Sequence, residues 1–329
     1  MPTYTGISSE AFRHPLDIQA EQALRSVPGF DLVARRFVEF TYERPRYVYL
    51  MGNSIEVGPR QYASLYHLFR ECVRDLDVSP EPTLFVSQSP VVNAYALGKD
   101  HPCVVLNTGL LDLMNETELR STLAHELGHI KCGHTVLIQM ASWALTLVFN
   151  LSEMTFGLSN LVSTGLILAF YEWLRKAELS ADRAALLVVD ELKPVMENMM
   201  RLAGGSARYA HELSLDEFVH QSDRYQNLDQ DGLNQIYKFF LYNNLAQGTF
   251  LSHPFTVERV KFLKDWANSD HYRQIRTGNY RRTGEGAVEV PSEPPPPEPT
   301  TRPTEVERLQ REIADLQRAI DEIKRSQSE

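Results

Sequence analysis

The pentapeptide His125-Glu126-Leu127-Gly128-His129 is the part of the sequence whose residue types and spacing point most directly to chemistry. Residues four apart lie on one face of a helix, so His125 and His129 can offer two imidazole nitrogens to a single Zn²⁺. Glu126 would then act as a general base, taking a proton from the attacking water and returning it to the leaving group. The motif therefore predicts a hydrolase with one Zn²⁺ per chain.

The residues around this motif predict a buried helix. Asn115 and Glu118 have the spacing of an N-cap and its capping-box partner. Apolar residues recur at helical spacing and predict a core-facing stripe, which consists of Leu119, Leu123, Leu127 and Ile130. The alternative is a helix that carries two histidines and binds no metal.

The residues that follow the motif limit the class of zinc site. A site with three histidines in the extended motif needs Gly at position 132 and His at position 135, but the chain has Cys132 and Thr135. His134 is interpreted as a histidine near the C-terminal end of the helix, and not as a ligand. The third ligand is therefore expected elsewhere in the chain.

A pair of carboxylates on a second predicted helix can complete the site. Glu178 and Asp182 are four residues apart, and Glu178 can serve as the third ligand while a fourth position stays open for water. Asp182 is then placed to accept the spare N–H of a zinc-bound imidazole, with His125 as the expected partner. Small side chains would let the two helices approach closely, namely Ala177, Ala181, Ala184 and Ala185. The alternative is an exposed helix with surface salt bridges.

Composition limits the other functions that the chain could have. Its 329 residues, 43% hydrophobic and 23% charged, are ordinary for a globular protein. The net charge of -10 argues against nucleic acid as a partner. Three cysteines without C-x-x-C spacing predict neither a disulfide framework nor a cysteine zinc site. Residues 1–17 contain no apolar leader, so we expect a cytoplasmic protein.

Two apolar stretches, Val136–Phe149 and Leu161–Leu174, bear on membrane contact. Each is interrupted by polar residues and is shorter than the roughly 18 to 20 apolar residues that a spanning helix needs. We interpret them as a buried helical hairpin. The alternative is peripheral membrane contact through residues 136–174, with the protein on the cytoplasmic face.

Three strand-like runs predict a small sheet just before the zinc helix. They are Thr83–Val86, Asn93–Leu97 and Cys103–Leu106. The exposed edge of such a sheet can hold an extended peptide through main-chain hydrogen bonds, so we expect it to bind substrate. The aromatic and β-branched run Tyr47–Leu50 is predicted as a further short strand.

The C-terminal end of the sequence differs from the rest. Residues 291–304 are Pro-rich and predict a disordered linker. Residues 305–326 predict a coiled-coil helix, because apolar residues alternate at spacings of three and four, namely Val306, Leu309, Ile313, Leu316, Ile320 and Ile323. This pattern favours a homo-oligomer, and the alternative is a helix that folds back onto its own domain. The zinc peptidase domain is expected in residues 1–290, with its core at about 60–267.

Taken in order, these features resemble the HtpX and CAAX prenyl-protease family of gluzincin metallopeptidases. Five blocks between about residues 60 and 267 carry the resemblance: Asn93-Ala94-Tyr95-Ala96, Thr108-Gly109-Leu110-Leu111, the zinc motif, Glu178-Leu179-Ser180-Ala181-Asp182, and Ser252-His253-Pro254 with Arg259. The resemblance implies a zinc endopeptidase with Glu126 as general base and Glu178 as third ligand.

The resemblance also implies roles for residues outside the two zinc helices. His253 lies in a polar turn ahead of a helix, where its side chain is suited to donate to a developing oxyanion. The resemblance implies that His253 stabilises the transition state and that Arg259 supports the site. It places the substrate-binding edge at Asn93, Ala94, Tyr95 and Ala96.

The sequence therefore predicts an α+β, mainly helical, gluzincin-type fold with a small sheet beside the active-site helix. The expected partner is a peptide or an unfolded protein, in proteolysis or protein quality control. Membrane-embedded members of the family have clear spanning helices, and the short hairpin here favours a soluble type. The rival is a non-catalytic scaffold with a peptidase-like body, which Glu126 disfavours because a scaffold does not need a general base.

Overall fold

A computed structural model describes residues 2–27, 30–31, 34, 37, 43–141, 159–244, 249–250 and 254–284. Its helices are α1 (Pro15–Ser26), α2 (Glu43–Asn53), α3 (Ala63–Asp75), α4 (Thr108–Leu113), α5 (Glu116–Lys131), α6 (Ser159–Val189), α7 (Leu192–Gly204), α8 (Leu215–Asp229), α9 (Gly232–Tyr242), α10 (Thr256–Ala267) and α11 (Asp270–Arg276). Its strands are β1 (Ile55–Glu56), β2 (Thr83–Ser87), β3 (Ala94–Leu97), β4 (Cys103–Asn107), β5 (Asn243–Asn244) and β6 (Thr249–Phe250). Residues 134–141 are helical too. The mainly helical α+β fold is confirmed.

Contacts divide the chain into one unit of Met1–Ser292 and a second of Glu293–Glu329. The predicted linker, residues 291–304, and the predicted coiled coil, residues 305–326, lie outside the described residues. Both segments, the domain boundaries and the homo-oligomer therefore stay predictions.

The small sheet has four strands in the order β1-β2-β4-β3. β2 and β4 pair in parallel, and β3 pairs antiparallel with β4 at the end of the sheet. The three predicted strands are confirmed within one residue at either end. All five residues of β4 are buried, as expected for a central strand that is covered on both faces.

The predicted strand at Tyr47–Leu50 is wrong, because these residues lie in helix α2. Leu50 is buried against Phe85 and Val105 of the sheet, whereas Val48 and Tyr49 are exposed. The Tyr47 ring also contacts Phe85, so the two residues that face the sheet are three apart, which is the spacing of a helix. Strand propensity reflects packing as much as the residue itself, and at this position packing favours the helix.

Helix α5 carries the zinc motif and begins at the predicted capping box. The Asn115 side chain accepts from the Glu118 N–H, and the Glu118 carboxylate accepts from the Asn115 N–H, each at 2.9 Å. Leu123 and Leu127 are buried in the main core, and Leu119 and Ile130 pack against it. The predicted capping box and apolar stripe are both confirmed.

Helices α5 and α6 pack at very close range through small side chains. A Cβ atom added to Gly128 would lie 2.7 Å from the Ala184 Cβ and 3.1 Å from the Ala181 Cα. No side chain larger than hydrogen fits at position 128 unless the helices separate. The predicted close approach is confirmed, and it brings the backbone of the zinc motif against the segment that carries Glu178.

The described part of the apolar hairpin is largely buried. Leu137 and Met140 pack with Phe170 and Trp173 in a cluster that also contains Leu24 of helix α1. No helix among the described residues has both the length and the apolar character needed to cross a membrane. Residues 142–158 lie outside the described part of the chain, so membrane contact stays a prediction.

Candidate active site

Three side chains on helices α5 and α6 point their ligand atoms at one position. The Nε2 atoms of His125 and His129 are 3.3 Å apart. The Glu178 carboxylate lies 3.3 Å from His125 Nε2 and 3.2 Å from His129 Nε2. Atoms bound at 2.0–2.1 Å around a tetrahedral zinc are about 3.3–3.4 Å apart. Two imidazoles and one carboxylate, at this spacing and largely buried, therefore fit a zinc ion.

His125 is supported by a carboxylate on the neighbouring helix. Its Nδ1 atom lies 3.1 Å from Asp182 Oδ1, which leaves Nε2 directed toward Glu178 and His129. Burial alone would lower the pKa of His125, but hydrogen bonds with Asp182 and Glu178 raise it to about 10. The same negative charges that hold a proton here would attract a metal cation.

Arg259 on helix α10 neutralises this pair of carboxylates. Its Nε donates to Asp182 Oδ2 at 2.8 Å and its Nη2 to Oδ1 at 2.5 Å, while Nη1 lies 3.4 Å from the Glu178 carboxylate. Burial would raise the pKa of Asp182, but Arg259 and His125 hold it below its ordinary value. The guanidinium therefore favours the ionised form of Asp182 in a buried environment.

His129 is supported by a second histidine instead of a carboxylate. Its Nδ1 atom lies 3.1 Å from His134 Nδ1, and His134 Nε2 lies 3.0 Å from Asp17 Oδ2 on helix α1. Burial would raise the pKa of Asp17, but His134 and Arg13 hold it well below its ordinary value. His134 is thus not among the grouped ligands, yet it contacts one of them directly.

Glu126 lines a cavity of about 230 Å³ together with two of the three ligands, His125 and Glu178. Helix α7 also lines this cavity, with Asn198, Met199 and Leu202. The buried Asn198 amide donates to the hydroxyls of Ser121 and Thr122 on the motif helix, each at 3.2 Å. The cavity therefore has a mixed polar and apolar lining that includes the Glu126 carboxylate.

Comparison with known proteins decides the family. The family model described as peptidase family M48 matches residues 59–267, which is more than half of the chain. The chain belongs to peptidase family M48. It is accordingly a metallopeptidase that acts on peptides or proteins, and its predicted resemblance to HtpX is confirmed.

Individual M48 relatives agree with this assignment. The chain is 33% identical over 275 residues to the plastoglobule-localized metallopeptidase 48 of Arabidopsis thaliana, covering 83% of this chain and 76% of the relative. A protease HtpX homolog of Dictyoglomus turgidum is 27% identical over 56% of this chain and 64% of the relative. A protease HtpX homolog of Pelotomaculum thermopropionicum is 29% identical, and the match covers 66% of this chain and 80% of the relative. No solved structure matches the chain.

The first half of the predicted substrate-binding edge lies in the wall of this cavity. Asn93 and Ala94 line the cavity with Glu126. Tyr95 packs on the other face of the sheet against the cluster around Phe85, and Ala96 is buried. Any contact of a substrate with the last two residues would therefore be with their backbone. The role of all four stays a prediction.

A glycine fixes the loop that leads into this edge. A Cβ atom on Gly109 would lie 2.3 Å from the Pro90 carbonyl oxygen, and the Gly109 N–H donates to the Ser89 carbonyl at 2.8 Å. The Thr108 hydroxyl also donates to that carbonyl, at 3.0 Å. The Thr-Gly pair therefore holds the loop ahead of strand β3 against helix α4.

His253, predicted to stabilise the transition state, lies outside the described residues, so the structure does not bear on that prediction. Three residues at or beside the site are missing from the sequence-based predictions. Asn198 belongs to a segment that carried no expected chemistry, Asp17 belongs to an N-terminal helix without a motif, and His134 was assigned to a helix end. Only the short distance from His129 to His134 along the chain could have signalled any of them.

Proposed function

We propose that this M48 peptidase is a zinc-dependent endopeptidase of the cytoplasm that cleaves peptides or unfolded proteins, in proteolysis or protein quality control. One observation carries the proposal: the nitrogen and oxygen atoms of His125, His129 and Glu178 converge at the spacing of a tetrahedral zinc site, and Glu126 lines the same cavity as two of these ligands. The proposed endopeptidase activity rests on this arrangement of side chains, and the proposed cellular role rests on the resemblance to HtpX.

Glu126 and His253 each have a proposed chemical task in this reaction. Zn²⁺ held by the three ligands supplies a Lewis acid that acidifies water and polarises a carbonyl. Glu126 removes a proton from the water as it attacks the peptide carbon, and gives that proton to the amide nitrogen as the C–N bond breaks. His253 is proposed to donate to the oxyanion that forms between these two steps.

The edge strand offers a way to hold the substrate over these groups. Strand β3 ends the four-stranded sheet, and Asn93 and Ala94 at its start line the cavity. An extended peptide that pairs with this edge is held by main-chain hydrogen bonds, which are independent of side-chain identity. We therefore propose weak sequence selectivity, as suits a peptidase that degrades unfolded chains.

The test combines metal content with turnover in the full-length chain. Zinc stoichiometry is measured on the purified protein, and hydrolysis is followed on an unfolded casein-like substrate. Glu126→Gln should keep zinc near one equivalent and lower turnover about 10²–10⁴-fold, because the amide cannot accept the proton. The matched control is Glu116→Gln, an exposed carboxylate in the first turn of the same helix, which should not change either value.

Two results would count against the proposal. Retained turnover in Glu126→Gln would remove Glu126 as the general base. A protein that binds zinc and hydrolyses nothing would favour the scaffold, in which the peptidase-like body only recruits partners.

A further inference from the structure

His129 is connected to the N-terminal helix through a chain of buried polar groups. His129, His134 and Asp17 are all buried, and Asp17 is 0% exposed. The links are 3.1 Å between the two Nδ1 atoms and 3.0 Å between His134 Nε2 and Asp17 Oδ2. We propose that His134 and Asp17 are positioning residues for His129, so that helix α1 forms part of the metal centre; this rests on the proposed zinc function.

Hydrogen bonding allows one consistent arrangement of protons along this chain. His129 must keep Nε2 deprotonated to bind a metal, so its proton is on Nδ1 and is donated to His134 Nδ1. His134 then carries its own proton on Nε2 and donates it to Asp17. One neutral tautomer of each imidazole therefore satisfies both contacts, and it points His129 Nε2 at Glu178.

Asp17 is held as an ionised acceptor at the end of the chain. Besides His134, it accepts from the Ser180 hydroxyl at 2.7 Å, from the Trp173 indole at 3.2 Å and from two nitrogens of Arg13 at 2.9 Å each. Every one of these partners donates, so a carboxylate without a proton is the form that satisfies them all. Its charge stabilises the polarised imidazoles and strengthens His129 as a ligand.

The same network attaches helix α1 to the ligand helix. Ser180 lies between Glu178 and Asp182 on α6, and its hydroxyl accepts from the His14 N–H at 2.9 Å while it donates to Asp17. His14 caps the first turn of α1, and Pro15 occupies the first helical position. Asp17 is therefore fixed at the start of a helix that lies wholly before residue 59, where the M48 match begins.

The first experiment compares two carboxylates of helix α1 in the full-length protein. Asp17→Asn should weaken zinc binding about 10–100-fold, as changes next to a metal ligand do, measured by competition with a fluorescent zinc chelator well below the unfolding temperature. Glu21→Gln is the matched control, because Glu21 also binds Arg13 at 2.7 Å but does not contact His134. Its zinc affinity should equal that of the unsubstituted chain.

The second experiment separates positioning from packing at His134. His134→Gln retains an amide that can accept from His129 and donate to Asp17, whereas His134→Leu fills the space without either contact. Positioning predicts that the Gln variant binds zinc at least several-fold more tightly than the Leu variant. A packing role predicts equal affinities, even if both variants melt at lower temperature without zinc. If His134→Leu does not fold, the comparison of Asp17 with Glu21 decides alone.

These measurements distinguish failure of the inference from failure of the proposed function. If the unsubstituted chain binds zinc and Asp17→Asn binds it equally tightly, only the positioning role is overturned. If the unsubstituted chain binds no zinc, the metal centre and this inference are both overturned. If zinc affinity changes as expected but no peptide is hydrolysed, the inference stands and the peptidase proposal does not.

Discussion

The two histidines of the zinc motif are held by different means. His125 contacts the Asp182 carboxylate directly, whereas His129 reaches the Asp17 carboxylate through the imidazole of His134. Asp182 belongs to the helix that supplies Glu178, while Asp17 is 117 residues away from His134 along the chain. The support from Asp182 can be predicted from its spacing to Glu178 in the sequence. The support from Asp17 cannot be predicted from any local spacing.

Both hydrogen-bond networks nevertheless end at a carboxylate that is paired with an arginine. Each carboxylate is buried and accepts two hydrogen bonds from one arginine, Arg259 for Asp182 and Arg13 for Asp17. A buried carboxylate is stable only if it is neutralised and fully hydrogen-bonded. The chain therefore meets the same physical requirement twice, once with a residue 77 positions away and once with a residue four positions away that lies just before the start of helix α1.

The largest effect is expected where the two supports converge. Glu178 contacts both histidines, so Glu178→Ala removes a ligand and should lower zinc affinity by more than about 100-fold, beyond the range of a support residue. Zinc content after dialysis against a chelator measures this loss, together with turnover. Glu172→Ala is the control, because that carboxylate lies on the same helix and is half exposed. Zinc retained in Glu178→Ala would place the third ligand elsewhere.

A change at Arg259 tests whether the support of His125 depends on its counter-charge. Arg259→Met leaves Asp182 and Glu178 buried without their guanidinium partner and with His125 as the remaining cationic contact, which should reduce the free energy of unfolding by about 3–5 kcal/mol in the metal-free protein. Urea denaturation of the metal-free chain measures this change. Arg276→Met is the control, because the Arg276–Asp190 pair is partly exposed and should contribute less than about 1 kcal/mol. Equal losses in the two variants would contradict the proposed role of Arg259.

The smallest effect on stability is expected from a substitution at Gly128. This residue sets the distance between helix α5, which carries both histidines, and helix α6. Gly128→Ala adds a methyl group 2.7 Å from the Ala184 Cβ, so it should destabilise the fold by about 1–3 kcal/mol despite the higher helix propensity of alanine. Gly52→Ala in helix α2 has open space around it and should be neutral or stabilising. Thermal unfolding of the two variants gives the comparison. A stabilised Gly128→Ala protein would mean that helices α5 and α6 can separate at little cost.

Much of the fold and the grouped ligands could be predicted from local patterns. The capping box at Asn115 and the spacing of the zinc motif depend only on the geometry of one helix, so they are visible in the sequence. The three strands around Phe85 and Val105 are visible because they combine β-branched residues with clear turn signals. Tyr47–Leu50 has the same composition but forms a helix, in which Tyr47 and Leu50, three residues apart, contact the sheet.

The sequence by itself determined which residues can bind a metal and which helix carries them, because residues four apart share a helix face in any protein. Tertiary structure alone decided which side chains support the metal-binding residues and their helix through hydrogen bonds. Asp17, His134 and Asn198 carry no motif, and their positions depend on how α1, residues 134–141 and α7 pack around the zinc helix. Contacts between distant segments are set by the packing of the whole core, so no short stretch of sequence encodes them.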